Sequence, residues 1–268
     1  ETTATFGAVL AQRDLLAGFS QPTVVTATQL NAGRDIGLTA ASLQSGPVNA
    51  GRLLVLDASR GITLNGGAFA GTGAMVRTGG ALSVGGGTGA IAAGGRLQLD
   101  VGTLQAGRLS SGRSVVVGAS GSGAAVNITS VLAEDDILIT STNATGSITL
   151  GSATITGART DEAPAGRNLS LIARGAQADV TYGAAGGSPL LGATGVTIAA
   201  GRDATLNVDG LLTLRSGSAG RTFLIRANDL DLAGPLTAGT LRVESRSGGL
   251  SIGGGAQSAP GDAGPARA

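Results

Sequence analysis

The sequence predicts an all-β fold, a parallel β-helix of triangular cross-section whose coils contain about 16–22 residues. Three observations predict it: a recurring Gly-Arg turn, short strands with alternating apolar residues, and an unusual composition. Glycine supplies 48 of the 268 residues, while aromatic residues make up 2%. Because few large side chains are available, the aliphatic residues suit a narrow interior that repeats from layer to layer.

The recurring turn is a small residue, a glycine and an arginine just before a run of alternating apolar residues. Its five copies are Ala32–Leu38, Ala50–Leu56, Gly94–Leu99, Ala165–Leu171 and Ala200–Leu206. A glycine turn that leads into a short period-two strand, repeated along the chain, is typical of a structural module rather than a reactive centre.

The predicted strands have apolar residues at their first and third positions, which we expect to face inward, with the middle residue facing outward. They are 62–64, 82–84, 115–117, 126–128, 137–139, 148–150, 180–182, 196–198, 212–214, 230–232, 241–243 and 250–252. Glycine spacings include 18 residues from Gly33 to Gly51 and 16 from Gly79 to Gly95. Roughly 13 coils at about 4.8 Å each would give a rod on the order of 60 Å long.

Along the chain, we expect residues 1–30 to form an irregular opening segment or the first coils. A short amphipathic helix within residues 6–19 and a pair of irregular coils are both compatible with this stretch. Residues 31–252 should form the β-helix itself. Residues 253–268 have lost the alternation and are predicted to be a flexible tail or linker.

Four stretches within the repeats are predicted to be loops. Residues 66–73 and 85–89 are too rich in glycine for strands. Residues 160–164 and 182–189 are expected to be excursions on the surface of the rod. Since residues 85–89 precede neither a Lys-Ser/Thr pair nor a helix, they are a solenoid turn rather than a phosphate-binding loop.

Charge and the missing residue types exclude several classes of site. The 18 basic residues, all arginine, nearly balance 17 acidic ones and are spread along the chain, which argues against nucleic-acid binding. The chain has no cysteine or histidine, so no disulfide, Cys/His zinc site or Ser-His-Asp relay can form. No transmembrane helix is predicted. The residues after Glu1 do not resemble a signal peptide, so the chain is a cytosolic protein, a mature product or a segment of a longer protein, and the repeats that begin almost at once favour the last two.

The acidic residues offer the only candidates for catalysis or metal binding. Asp135 and Asp136, beside Glu134, are adjacent and would point to opposite faces of a strand, so we interpret the triplet as a polar turn. Calcium could use this triplet or Asp161 and Glu162, but the calcium-binding nonapeptide does not recur. We therefore predict no catalytic, cofactor-binding or metal-binding residues and no cofactor.

The repeated arginines have a structural interpretation. Arg34 with Asp35, and Arg202 with Asp203, place opposite charges at equivalent positions of different coils, where stacking would form surface ladders. The alternative interpretation is that a row of arginines binds sulfated or acidic glycans, although the acidic neighbours would cancel much of its field.

The stretches Ala32–Ala40 and Ala200–Leu206 resemble the repeats of filamentous-haemagglutinin-like exoproteins, the surface adhesins and toxin carriers of two-partner secretion. The resemblance covers about residues 30–252. It implies a right-handed β-helix shaft, in line with the crossover rule, located outside the cell or on the bacterial surface and exported through an outer-membrane transporter. The secretion domain of that family has no match in residues 1–30, so the chain resembles an internal or processed segment.

We therefore expect a non-catalytic structural shaft of an adhesin or extracellular filament. Its expected partners are neighbouring coils or subunits stacked end to end, with host or surface glycans or proteins as further candidates. The alternative is a carbohydrate-active enzyme or glycan-binding module on the same scaffold. With Tyr182 as its only tyrosine and no tryptophan, the chain offers little material for a sugar-stacking platform.

Overall fold

The computed structural model describes residues 2–19, 22–121, 123, 125–157, 167–184, 187–246 and 251–253. Within these ranges the secondary structure is almost entirely β, with a single 3₁₀ turn at Gly85–Gly87. The strands are β1 (Thr2–Ala11), β2 (Leu15–Gly18), β3 (Thr23–Ala32), β4 (Ile36–Ser45), β5 (Val48–Ala50), β6 (Leu53–Leu64), β7 (Ala68–Ala70), β8 (Gly73–Thr78), β9 (Ala81–Val84), β10 (Ala90–Ala93), β11 (Leu97–Val101), β12 (Thr103–Ser111), β13 (Val115–Ala119), β14 (Val126–Ala133), β15 (Ile137–Ser141), β16 (Ile148–Ile155), β17 (Asn168–Ala173), β18 (Val180–Tyr182), β19 (Ser188–Leu191), β20 (Gly195–Ala200), β21 (Asp203–Asp209), β22 (Leu211–Ala227), β23 (Asp229–Leu232), β24 (Leu236–Ser245) and β25 (Ser251–Gly253).

The chain climbs about 11 turns, and each strand pairs in parallel with strands of the turns before and after it. One column of paired residues extends through all of these turns. Its members, in order, are Ala4, Val25, Leu43, Ile62, Leu82, Leu104, Val126, Ile148, Val180, Ala204, Phe223 and Leu241. Successive members are hydrogen-bonding neighbours in space, so the stack is continuous from the first turn to the last.

Each turn has three faces, which we number in chain order. In the turn that begins at residue 42, residues 42–45 form face 1, residues 48–50 form face 2 and residues 54–58 form face 3. Residue 61 then returns to face 1, above residue 42. The prediction of a parallel β-helix built from three short strand segments per turn is confirmed.

The interior is a column of aliphatic side chains. On face 3, Leu54 and Leu56 are completely buried, whereas Val55 between them points outward and is partly exposed. The same alternation recurs on each face, and the buried residues are mostly Val, Leu, Ile and Ala. Among the described residues, Tyr182 and Phe223 are the aromatic side chains buried in this column. Burial of aliphatic surface is therefore the main stabilising contribution.

The opening residues already belong to the stack. Strand β1 pairs with β3 from Thr2 to Ala11, and β2 pairs with β4. The alternative of a helix within residues 6–19 is therefore wrong, and the chain opens with strands instead. The rings of Phe6 and Phe19 lie 5.9 Å apart between centroids. Pairing with the next turn decides the conformation here, because it satisfies the backbone of a segment whose apolar spacing is ambiguous.

The number of turns is smaller than the roughly 13 predicted, because glycines such as Gly79 and Gly95 lie at different corners and their spacing is shorter than a full turn. Gly79 lies between faces 3 and 1, and the residue that stacks above this corner is Gly102, whose N–H donates to the carbonyl of Gly80 at 2.8 Å. The turn there is thus longer than the 16 residues counted to Gly95. The turn from Ile148 to Val180 takes 32 residues, well above the predicted upper limit of 22.

The predicted loops are only partly correct. Residues 85–89 do form a turn, but Ala68–Ala70 is a strand within the stretch predicted to be a glycine-rich loop. Its backbone pairs with β5 below and β10 above, and this templating outweighs the weak strand propensity of alanine. Ser188–Leu191 is also a strand. The predicted excursion at 160–164 and the tail from residue 254 onward lie outside the described residues.

Candidate functional site

The glycines of the first two Gly-Arg turns, Gly33 and Gly51, stack directly on one another at the corner between faces 2 and 3, and Gly71 continues this stack. A Cβ atom on Gly51 would lie 2.1 Å from the carbonyl oxygen of Gly33, and one on Gly71 would lie 2.1 Å from that of Gly51. The Gly51 N–H donates to the Ala32 carbonyl at 3.0 Å, which holds the turns at this separation. Any side chain would push adjacent turns apart, so the repeated glycine meets a structural requirement.

The arginines that follow Gly33 and Gly51 reach back to an aspartate of the preceding turn. Arg52 donates to both carboxylate oxygens of Asp35, with Nε 2.8 Å from Oδ1. The backbone N–H of Leu53 donates to the same Oδ1 at 3.2 Å. One turn earlier, Arg34 approaches Asp14 with 3.6 Å between Nε and Oδ1. The predicted ladder of alternating charges therefore exists at this corner.

A second ladder repeats the geometry at another corner. Arg202 donates from Nε to Oδ1 of Asp179 at 2.8 Å, and Arg221 donates in the same way to Asp203 at 3.0 Å. In each case the N–H of the residue after the arginine donates to the same carboxylate, from Asp203 and from Thr222.

The two ladders do not lie at equivalent positions, contrary to the prediction. Asp35 leads into Ile36 on face 3, whereas Asp203 leads into Ala204 on face 1. The Gly-Arg-Asp turn has moved by one corner between the two halves of the chain. The Gly-Arg-Asp charges therefore form two separate short ladders at different corners.

The ladders hold their carboxylates in the charged form. The hydrogen bond from Arg52 lowers the pKa of Asp35 to about 2, since the pairing stabilises the carboxylate. The corresponding arginine hydrogen bonds lower the pKa of Asp179 and of Asp203. At neutral pH each carboxylate is thus neutralised by its arginine, and the exposed position of the pairs means that each contributes little to stability.

The acidic triplet occupies the turn before β15, as predicted. The N–H groups of Glu134 and Asp135 donate to the Arg113 carbonyl below them at 3.0 and 3.1 Å. Asp136 accepts from the backbone N–H of Asn168 at 2.9 Å, which is the contact that Asp35 makes with Leu53 at the same corner. A groove of about 530 Å³ runs beside the triplet. The geometry gives Asp136 a structural role as the acceptor that joins two turns.

Tyr182 lies inside the column and is 1% exposed. Its hydroxyl donates to the Pro189 carbonyl at 2.8 Å and accepts from the Ala153 N–H at 3.1 Å. Burial raises the pKa of this phenol, because the phenolate would lose its hydration. The only tyrosine therefore cannot stack on a ligand at the surface.

A different aromatic side chain projects from the side of the rod. Phe69 is the outward-facing middle residue of β7 on face 2 and is 49% exposed. In successive turns below it, the same outward row holds Asn49, Asn31 and Leu10, paired in register. We call these four residues the Phe69 strip. They lie along a groove of about 400 Å³ whose other lining residues are alanines and glycines.

The sequence prediction misses the Phe69 strip, because the glycine content of residues 66–73 predicts a loop. The sequence does contain a signal for a strand here. Ala68-Phe69-Ala70 has two small apolar residues around a ring, the pattern that places the middle side chain outside the coil.

Acidic side chains do not gather into a metal-binding group of three or more anywhere in the part of the chain that the structure describes. Asp161 and Glu162, the second candidate pair for calcium, lie outside that part. Over the same ranges, no helix has the length and apolar character needed to cross a membrane. Comparisons with protein-family models, curated proteins and solved structures find no match.

Proposed function

We propose that the chain is a shaft segment of a secreted or surface-displayed bacterial adhesin or extracellular filament, with a mechanical rather than a catalytic role. The observation that supports this most is the unbroken column of about 11 stacked turns with a uniform aliphatic interior. The features that the sequence marks most strongly, the Gly-Arg-Asp turns, join one turn to the next through glycine packing and paired charges. Because these residues serve to stack one turn on the next, they favour a role as a spacer.

The first turn of the stack supports end-to-end assembly. Among the described residues, β1 pairs only with β3, which leaves the N-terminal edge of its backbone open. The exposed Leu16 and Phe6 and the half-buried Phe19 belong to the same first turn. Open strand edges beside apolar side chains are the natural docking surfaces for another coil, either from the same longer protein or from a second copy.

Extracellular or cell-surface location, and export through an outer-membrane transporter, belong to this proposal and derive from the resemblance of residues 32–40 and 200–206 to exoprotein repeats. Immunogold labelling of intact cells of the source bacterium with antibodies to this chain tests the location. Gold on intact cells supports the proposal. Gold that appears only after the cells are permeabilised contradicts it.

Electron microscopy of the purified chain tests the assembly. We expect rods that lengthen end to end as the protein concentration increases, with a constant width. Two substitutions in the outward rows, Thr63→Arg and Thr149→Arg, serve as controls and should leave the lengthening unchanged. Short particles of a single length at every concentration would count against filament formation.

The enzymatic alternative predicts release of reducing sugar from polysaccharides. We expect no turnover of polygalacturonate or of neutral glucans, because Asp136, the best-placed carboxylate of the acidic triplet, is engaged by Asn168. Turnover that is lost in Asp136→Asn would reverse this ranking.

A further inference from the structure

We propose that the Phe69 strip is a binding site for a neutral saccharide. This inference goes beyond the shaft role and does not depend on it, since a rod could bind a glycan on its side or bind none. The strip is formed by four successive turns on face 2, so its side chains are spaced by about 4.8 Å. A pyranose ring is about as wide as that spacing, which lets one sugar unit face one turn.

Phe69 supplies the apolar surface that such a ligand needs. Its ring is 49% exposed on the side of the rod, whereas Tyr182 and Phe223 are buried in the interior. The electron-rich face of an aromatic ring attracts the polarised C–H groups on one side of a pyranose. Leu10, 72% exposed at the other end of the strip, extends the apolar contact.

Asn31 and Asn49 supply the polar groups. The Asn49 Nδ2 donates to the Asn31 Oδ1 at 2.8 Å, and this bond fixes both amides in one orientation. The amide hydrogens of Asn31 and the carbonyl oxygen of Asn49 then have no hydrogen-bond partner among the described residues. Two oriented donors and an acceptor beside an aromatic ring match the hydroxyl groups on the edge of a sugar.

The charge around the strip favours a neutral ligand. No arginine, aspartate or glutamate lines the groove. The corner beside the groove carries Arg13, Arg34 and Arg52, and the last two are already paired with an aspartate of the preceding turn. None of the three arginines lines the groove. A sulfated or uronic glycan would find no cation within the groove itself, so we assign it to neutral sugars.

Isothermal titration calorimetry of the whole chain with defined hexasaccharides tests the proposal. The neutral probes are cellohexaose, laminarihexaose, mannohexaose and chitohexaose, and the charged probes are a heparin hexasaccharide and hexagalacturonate. We expect at least one neutral probe to bind and Phe69→Ala to weaken it about tenfold or more, as for an aromatic anchor. Asn49→Ala should also weaken it.

Two matched variants act as controls. Leu191→Ala removes an exposed apolar side chain from the outward row of the same face, and Asn127→Ala removes an exposed amide from face 1. Both should change the affinity by less than about twofold, since neither residue lines the groove. Because all four positions are on the surface, circular dichroism should confirm that every variant folds like the parent.

Three results would overturn the inference: no neutral probe binds, only the charged probes bind, or Phe69→Ala binds as tightly as the parent. Sedimentation velocity tests whether a second copy of the chain, rather than a saccharide, occupies the strip. If Phe69→Ala abolishes self-association of the parent, the strip is a contact between copies and the saccharide assignment is wrong. Filaments without saccharide binding would contradict this inference alone, whereas binding without filaments would contradict the assembly proposed for the shaft.

Discussion

At the residue scale, Tyr182 places a hydroxyl group inside the aliphatic column, between two backbone groups of different turns. Strands β16 and β19 pair only at Ala153 and Thr154. The hydroxyl extends this short pairing, since it links the Ala153 N–H to the Pro189 carbonyl. A side chain thus replaces part of a ladder that backbone groups complete elsewhere.

Tyr182→Phe should destabilise the protein by about 1–3 kcal/mol, because a buried N–H and a buried carbonyl lose their shared partner. Urea unfolding followed by circular dichroism measures the change. Phe69→Leu, an exposed substitution, should leave the free energy of unfolding nearly unchanged. If Tyr182→Phe also has no effect, the hydroxyl contributes nothing to joining the turns.

Two glycines, one stacked against a neighbouring turn and one not, should respond differently to the same substitution. Gly51→Ala would place a Cβ atom 2.1 Å from the Gly33 carbonyl oxygen, whereas Gly7→Ala would meet nothing within 4 Å. We expect Gly51→Ala to cost about 1–3 kcal/mol, as overpacking does, and Gly7→Ala to be neutral or slightly stabilising. Thermal unfolding of both variants tests this, and equal melting temperatures would refute the close approach.

At the element scale, the Gly-Arg-Asp segment joins two successive turns of the β-helix, and it does so at more than one corner. At both corners the aspartate accepts from the arginine and from the next backbone N–H of the turn above. The Gly-Arg-Asp segment therefore makes the same interactions at either corner, whichever face the following strand belongs to.

Asp35→Asn should lower the melting temperature slightly at pH 7 and have a much smaller effect at pH 2. The pKa of Asp35 is about 2 in the folded chain, below the ordinary value of an unfolded aspartate, about 3.9. Its contribution is thus complete above about pH 4 and is lost as the pH falls toward 2. Melting curves from pH 2 to pH 7 measure it, with Asp57→Asn, outside the ladder, as the control. A difference from the parent that persists unchanged at pH 2 would contradict the role of the charge.

Much of the element structure could be predicted from the sequence, because inward-facing apolar residues repeat with period two. Val126–Ile128 and Ile148–Leu150 are strands at their predicted positions. Ala68–Ala70 could not be recognised in this way, since its pairing with neighbouring turns, rather than its own residues, makes it a strand. The sequence alone also does not show which corner each Gly-Arg turn occupies. The same residues fit both corners, and the register of pairing with the neighbouring turns decides between them.

The candidate site divides in the same way. The charge ladders follow from adjacent Arg and Asp residues at a repeating turn, so their existence could be predicted. The Phe69 strip depends on four residues from four turns, which come together only when the register is known.

At the scale of the whole molecule, the rise of each turn along the rod axis does not depend on the number of residues in that turn. Successive turns take from 18 residues, between Val25 and Leu43, to 32, between Ile148 and Val180. The paired strands keep their in-register neighbours in both the short turns and the long one. A rod of about 11 turns at about 4.8 Å per turn is on the order of 50 Å long.

Distances between spin labels on face 1 test the stack most directly, because the chain has no cysteine to compete for labelling. Thr63, Thr149, Thr181 and Thr205 lie in one outward row, connected through paired residues of successive turns. With one label at Thr63→Cys, double electron–electron resonance to cysteines at the other three positions should give about 19, 24 and 29 Å. Equal steps are expected although the intervening segments differ in length. Distances that fail to increase in this order, or that scale with the number of residues between the labels, would contradict the stacked coil.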